Sequence, residues 1–292
     1  MSETVKNLII SIRPRQWLKN GFIFAPLLFA QKIFHPPSIF KTAATFTLFC
    51  LMSAAVYLVN DTLDIQKDKL HPVKKNRPIA SGKLNIKPAL FCAFAAASIS
   101  LFSSCLLTPW LAFILLTYFI SNIAYSKIFK DLVIIDAMCF ALFFILRIAA
   151  GAAVIKVELS HWITICTGLL ALFIAFGKRH HELKLLEKEA ANHRPVLEKY
   201  SPKFIEQMIT VTAASLAVFY TLYTVDSRTL TITGGRNLLV TVPFAYYGIF
   251  RYYYNLFQLN KGGDPTEIIL NDKKLQITAV LWIIAVLGVL YF

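Results

Sequence analysis

The sequence predicts an all-α membrane protein, with nine transmembrane helices in a single bundle over residues 1–292 and a cytoplasmic N-terminus. Three observations carry that expectation. Hydrophobic residues make up 57% of the chain and charged residues 16%, a balance too apolar for a soluble domain of this length. Nine apolar runs of roughly membrane-spanning length follow one another, separated by short polar loops. Of the 30 Lys and Arg, 24 fall in the N-terminal segment and in every second loop after it, which places those segments in the cytoplasm.

In chain order the runs cover residues 17–34, 39–60, 88–107, 109–125, 132–155, 162–177, 204–225, 238–257 and 275–292. The first is the weakest, interrupted by Pro26 and carrying Lys32. It follows the basic residues Arg13, Arg15 and Lys19 and lacks a small-residue cleavage site, so it stays as a span. The second ends in a cluster of acids. The fifth holds Asp136 and, roughly 16 Å deeper along the same helix, Arg147, both expensive in hydrocarbon unless paired or functional. No soluble domain, low-complexity linker or internal repeat is evident. The five cysteines lie inside apolar runs with no CxxC spacing, and read as small buried hydrophobes. A net charge of +14 suits anionic lipid and phosphate groups; nucleic acid fits poorly, because the basic residues are confined to short loops.

The chemistry is expected at Asn60-Asp61-Thr62-Leu63-Asp64-Ile65-Gln66-Lys67-Asp68. On a continuing helix Asn60, Asp61, Asp64 and Asp68 are related by i, i+3 and i, i+4 steps and share one face. Like charges so placed repel, and beside a membrane they are poorly screened. A solvated helix end would explain the acids but not their spacing. Oxygen ligands without Cys or His suit Mg²⁺ or Mn²⁺ better than zinc, and Mg²⁺ usually arrives with phosphates, so a diphosphate substrate is expected. The next segment, from His71 to Gly82, combines prolines with cations able to close over phosphates. Lys75 and Arg77, framed by Asn76 and Pro78, are the better candidates there, whereas Lys74 and Lys83 read as ordinary cytoplasmic loop charges.

Asn60 to Asp68 resembles the NDxxDxxxD motif of the UbiA superfamily of intramembrane prenyltransferases, and His71 to Gly82 resembles the HPxKxNRPxxSG segment that follows it there. Nine helices with both motifs on the cytoplasmic side are similar too, so the resemblance covers nearly the whole chain. It implies that Asn60, Asp61, Asp64 and Asp68 hold Mg²⁺ on a diphosphate at the mouth of a lipid-accessible cavity. Tyr125, with Lys127 and Lys130 after it, resembles the short loop that contacts the diphosphate.

One departure is informative. Where the superfamily carries a second acidic motif, DxxxD, this chain reads Gly177-Lys178-Arg179-His180-His181-Glu182. Two cations in place of two carboxylates are expected to hold an anion directly, without a second metal. His180 and His181 point in different directions and are expected at the membrane interface. The segment Arg13-Pro14-Arg15-Gln16-Trp17-Leu18-Lys19-Asn20, the run from Phe140 to Gly151, Gly177-Lys178-Arg179 and Gly262-Gly263-Asp264-Pro265-Thr266-Glu267 resemble the decaprenyl-phosphate phosphoribosyltransferase branch.

That resemblance implies transfer of 5-phosphoribose from phosphoribosyl pyrophosphate to a polyprenyl phosphate at the cytoplasmic face of a bacterial-type inner membrane. Asp61, Asp64 and Asp68 would be catalytic through Mg²⁺, with Lys19, Asn60, Lys75, Arg77, Tyr125, Lys127, Lys130, Asp136, Lys178 and Arg179 binding substrate. The alternative within the same superfamily is prenyl transfer from a polyprenyl diphosphate to an aromatic acceptor. A non-enzymatic lipid transporter or scaffold would leave the aspartate spacing without a cause. A homo-oligomer is left open.

Overall fold

The computed structural model describes residues 3–70, 73–186, 199–259 and 265–292, with the side chains of 185 and 186 left aside. His71, Pro72 and the stretch 262–264, all parts of predicted motifs, lie outside the described residues. Among those described, all regular structure is helical.

Seven helices are long and apolar enough to cross a membrane: α3 (Pro36–Leu63), α5 (Ile86–Leu107), α6 (Pro109–Lys127), α7 (Ile135–Val154), α8 (His161–Leu186), α9 (Pro202–Val225) and α13 (Lys273–Tyr291). The chain is an integral membrane protein. Phe91, Phe94, Phe102 and Leu106 on α5 are exposed, as expected of side chains turned to lipid rather than water.

The first and eighth predicted runs take another form. Residues 17–34 are divided between a 3₁₀ segment, Pro14–Phe24, and the short helix α2 (Ala25–Phe29), because Pro26 lacks the N–H that would continue the ladder and sits instead in a first turn. Residues 238–257 begin as a 3₁₀ turn, Leu238–Thr241, before α11 (Val242–Phe257), which again starts at a proline. The remaining short helices are α1 (Glu3–Ser11), α4 (Ile65–Leu70), α10 (Ser227–Ile232) and α12 (Pro265–Asn271).

The broken first segment is not peripheral. A Cβ on Gly151 of α7 would run into the carbonyl oxygen of Ile23, so only glycine lets the two backbones approach this closely. Next to that contact, Arg147 donates to Asn20 Oδ1 at 2.8 Å, to the Phe143 carbonyl at 2.6 Å and to the Tyr118 hydroxyl at 3.1 Å. Its guanidinium also lies over the Tyr118 and Phe144 rings, 5.1 and 5.4 Å from their centroids. Arg147 is therefore a structural cation, satisfied by neutral oxygens and aromatic faces, that pins the 3₁₀ segment against α7.

α3 places the acids. Its 28 residues rise about 42 Å, more than the ~30 Å of a hydrocarbon core, so a helix that starts near one interface delivers its C-terminal turn beyond the other. The cysteines are free thiols, but only Cys50 is buried; Cys105 is exposed on α5, a lipid-facing place rather than the core position expected of it.

Candidate active site

The acidic helix does not run on unbroken. α3 ends at Leu63, Asp64 leaves helical geometry at φ −96° and ψ 9°, and α4 resumes one residue later, with the Asp68 N–H reaching the Asp64 carbonyl at 2.8 Å. The expected single face is thus bent, yet the acids still converge. Arg77 Nη1 lies 2.6 Å from Asp68 Oδ2 and 3.1 Å from Asp61 Oδ1. Asp61 Oδ1 also pairs with Arg13. Asp64 Oδ1 takes Lys130 Nζ at 2.8 Å, and Asn60 Oδ1 accepts from the Ser126 hydroxyl at 2.8 Å. Four segments distant in sequence therefore meet: the start of the 3₁₀ segment, the α3–α4 break, the loop at Arg77, and the end of α6.

Asp61 is 2% exposed, and its second oxygen, Oδ2, is buried without a hydrogen-bond partner among the described residues. A buried carboxylate oxygen with no donor is costly, which leaves it a natural ligand for a further cation. The donors around the break are carboxylate and amide oxygens, fitting a hard divalent ion. Among the described residues no group of three or more Asp, Glu, His or Cys is gathered closely enough to form a cage by itself. The acids are turned toward Arg13, Arg77 and Lys130 instead.

The other candidate cations divide into two kinds. Lys75 and Lys127 are exposed and make no ion pair among the described residues. Lys19 donates to Gln16 Oε1 at 2.6 Å and lies 5.8 Å from the centre of the Phe140 ring, which places the 3₁₀ segment beside α7 near the site.

The replaced acidic motif behaves differently from expectation. Arg179 is 3% exposed and fully engaged: Nε to Asp136 Oδ2 at 2.6 Å, Nη1 to Glu182 Oε2 at 2.7 Å and Nη2 to the Tyr125 hydroxyl at 3.1 Å. Both carboxylates that meet this guanidinium, and the hydroxyl beside them, belong to the protein itself. The evident work of Arg179 is to neutralise Asp136, which is wholly buried at the start of α7 and would otherwise be prohibitive. Lys178 is more open, with Nζ 4.0 Å from Glu182 Oε1. His180 is buried against Phe257, with its centroid 4.8 Å from that ring.

Tyr200, which sequence reasoning missed, completes this cluster by donating to Asp136 Oδ1 at 2.9 Å while accepting the Ile134 N–H. Burial first, with the Asp136 charge adding to it, pushes its hydroxyl up to about 12, so it remains a donor at any physiological pH. Ile134 needs that anchor, because it holds φ 69° at the turn into α7. No spacing rule could have joined Tyr200 to Asp136. Arg13 and Ser126 were missed for the same reason.

A family model described as the UbiA prenyltransferase family matches residues 21–268. The chain belongs to that family. Among its curated relatives, the decaprenyl-phosphate phosphoribosyltransferase of Corynebacterium glutamicum is 34% identical over 289 residues, covering 97% of this chain and 86% of that protein. The protein of the same description from Mycolicibacterium smegmatis is 32% identical over 299 residues, covering 99% and 93%. Among solved structures, a UbiA homolog from Archaeoglobus fulgidus bound to GPP and Mg²⁺ superposes with a TM-score of 0.72 at 19% identity, over 98% of this chain and 100% of that one. A digeranylgeranylglyceryl phosphate synthase structure gives 0.63 at 16% identity, over 100% of both chains. At such identities the structures speak for a UbiA fold alone.

Proposed function

We propose that the protein transfers 5-phosphoribose from phosphoribosyl pyrophosphate to a polyprenyl phosphate of the decaprenyl type, releasing pyrophosphate. The observation that carries this reading is the near-full-length similarity, at 34% and 32% identity, to two proteins described as decaprenyl-phosphate phosphoribosyltransferases. The site's chemistry agrees with it. Asp61, Asp64 and Asp68, with Asn60, would hold a divalent cation, Mg²⁺ or Mn²⁺, that offsets charge on a diphosphate leaving group. That the A. fulgidus homolog is bound to GPP and Mg²⁺ supports the use of a divalent cation.

In the proposed reaction the bond between ribose C1 and pyrophosphate oxygen breaks as a phosphate oxygen of the lipid bonds to C1, inverting that carbon. A phosphate monoester is already ionised near pH 7, so this chain need supply no strong general base and can act by orientation. Arg77 and Lys130, already at the aspartates, are placed to meet diphosphate oxygens. Exposed Lys75 and Lys127 can steer anions in from water. Lys19 and Lys178 are the remaining candidates for the 5-phosphate or the lipid phosphate, whereas Asp136, Arg179 and Tyr125 act on substrate through the structure they hold together.

We infer a single domain over residues 1–292 with nine crossings, the two broken segments included, and the N-terminus and aspartates on the cytoplasmic side of a bacterial inner membrane. The loop distribution of Lys and Arg supports that orientation. Prenyl transfer from a polyprenyl diphosphate is the competing activity within the family. It is tested through the donor. In Mg²⁺, phosphoribosyl pyrophosphate should protect the purified protein against thermal unfolding far more than pyrophosphate at equal concentration, because it binds through an additional phosphate. Equal protection by pyrophosphate or by a polyprenyl diphosphate, with nothing added by the ribosyl donor, would return the assignment to prenyl transfer.

A further inference from the structure

Asp61 Oδ1 accepts from two guanidinium groups at once, Arg13 and Arg77, while Oδ2 of the same carboxylate is buried without a partner among the described residues. A divalent cation drawn to that carboxylate meets two positive charges already in contact with it. One must give way. Arg77 is held twice, since Asp68 Oδ2 takes the same Nη1 at 2.6 Å, closer than Asp61 at 3.1 Å. Arg13 has Asp61 as its one carboxylate partner among the described residues and is 28% exposed, whereas Asp61 is 2% exposed. Its backbone sits at φ 52° and ψ 64°, a left-handed conformation at the joint between α1 and the 3₁₀ segment that L side chains rarely adopt. The guanidinium also rests 4.9 Å from the centroid of the Tyr57 ring, an aromatic face that attracts a cation independently of Asp61.

We propose that Arg13 competes with the divalent cation for Asp61 and, once displaced, binds a phosphate oxygen of the substrate's diphosphate. The proposal rests on the metal–diphosphate reading above. A planar guanidinium matches a phosphate as well as a carboxylate, so the same side chain serves both partners. Arg13 then opposes metal binding when the metal arrives alone and favours the metal once diphosphate accompanies it.

The opposite signs make the test specific. Thermal unfolding of the purified full-length protein is followed against Mg²⁺ alone, and then against phosphoribosyl pyrophosphate at saturating Mg²⁺. Arg13→Ala should reach half-maximal stabilisation at about fivefold lower Mg²⁺, as for loss of one competing ion pair, and should need several-fold more phosphoribosyl pyrophosphate for equal protection. Arg15→Ala removes the same charge two residues away from an exposed side chain and should move neither midpoint. Should Arg13→Ala fail to fold, Arg13→Gln removes the charge while keeping a hydrogen bond to Asp61, and the same shifts are expected. A Mg²⁺ midpoint in the Arg13 variants that is unchanged or higher, beside a normal wild-type response, overturns the proposal alone. If Mg²⁺ stabilises no protein, wild type included, the metal reading fails and the proposal falls with it.

Discussion

Replacing Arg179 by Met tests the claim that this buried cation holds the bundle together rather than a substrate. The change leaves Asp136, a carboxylate with no exposed surface, with the Tyr200 hydroxyl at 2.9 Å as its remaining hydrogen-bond donor among the described residues. Removing one partner of a buried ion pair typically costs 3–5 kcal/mol. The surviving Tyr200 bond puts the expectation near the lower end, about 3 kcal/mol, and at roughly 2–4 °C per kcal/mol for a chain of this size the midpoint should fall by about 10 °C. Thermal unfolding in detergent micelles, followed by near-UV circular dichroism, reads this directly. The double variant Arg179→Met with Asp136→Leu should recover at least half of the loss, because an apolar pair of similar volume replaces a buried ion pair at little cost. Lys178→Ala, at a side chain 35% exposed, should stay within about 0.5 kcal/mol of wild type. An Arg179→Met protein that melts within about 2 °C of wild type, or a double variant no better than the single, would refute the argument from the buried pair.

Asp64→Asn keeps shape and removes charge at the helix break, and should abolish turnover in a protein that still folds; near-normal activity in Mg²⁺ would remove this position from the metal site. Asp272 caps α13 by accepting the Lys274 and Leu275 N–H groups, and also takes Arg251 and Asn255. Burial there works to raise the carboxyl pKa, but those hydrogen bonds outweigh it and hold the group below its ordinary value. A depressed folded pKa means stability that is present above an unfolded pKa of about 4 and lost as pH falls through the folded one. Asp272→Asn should therefore melt below wild type at pH 7, with the gap closing under acid; a gap constant from pH 7 to 3 would contradict it.

How far the sequence could be read depended on whether a feature was local. Apolar periodicity and loop charge need only neighbours, and the seven long helices fall where those signals put them. The first and eighth runs departed because proline chemistry at Pro26 and Pro243 overrode hydropathy, and because the approach of Gly151 to Ile23 rewards a tight 3₁₀ path that no local rule announces. The aspartates were visible through their spacing, although the break at Asp64 was not. Their partners were hidden: Arg13 is 48 positions from Asp61, and Lys130 is 66 from Asp64. Arg179 shows the limit most clearly. Read along the chain it is one of two adjacent cations free to take an anion, and only the packing of α8 on α7 reveals that Asp136, 43 positions away, already has it.

The identity of the transferred group is read from a single labelling experiment. The purified protein is supplied with phosphoribosyl pyrophosphate labelled in the ribose, Mg²⁺, and either a polyprenyl phosphate or a polyprenyl diphosphate with an aromatic acceptor. Phosphoribosyl transfer predicts label in the lipid fraction with the monophosphate alone, and one pyrophosphate released per labelled lipid. A prenylated acceptor formed from the diphosphate, with no label entering the lipid under either condition, would rule out phosphoribosyl transfer.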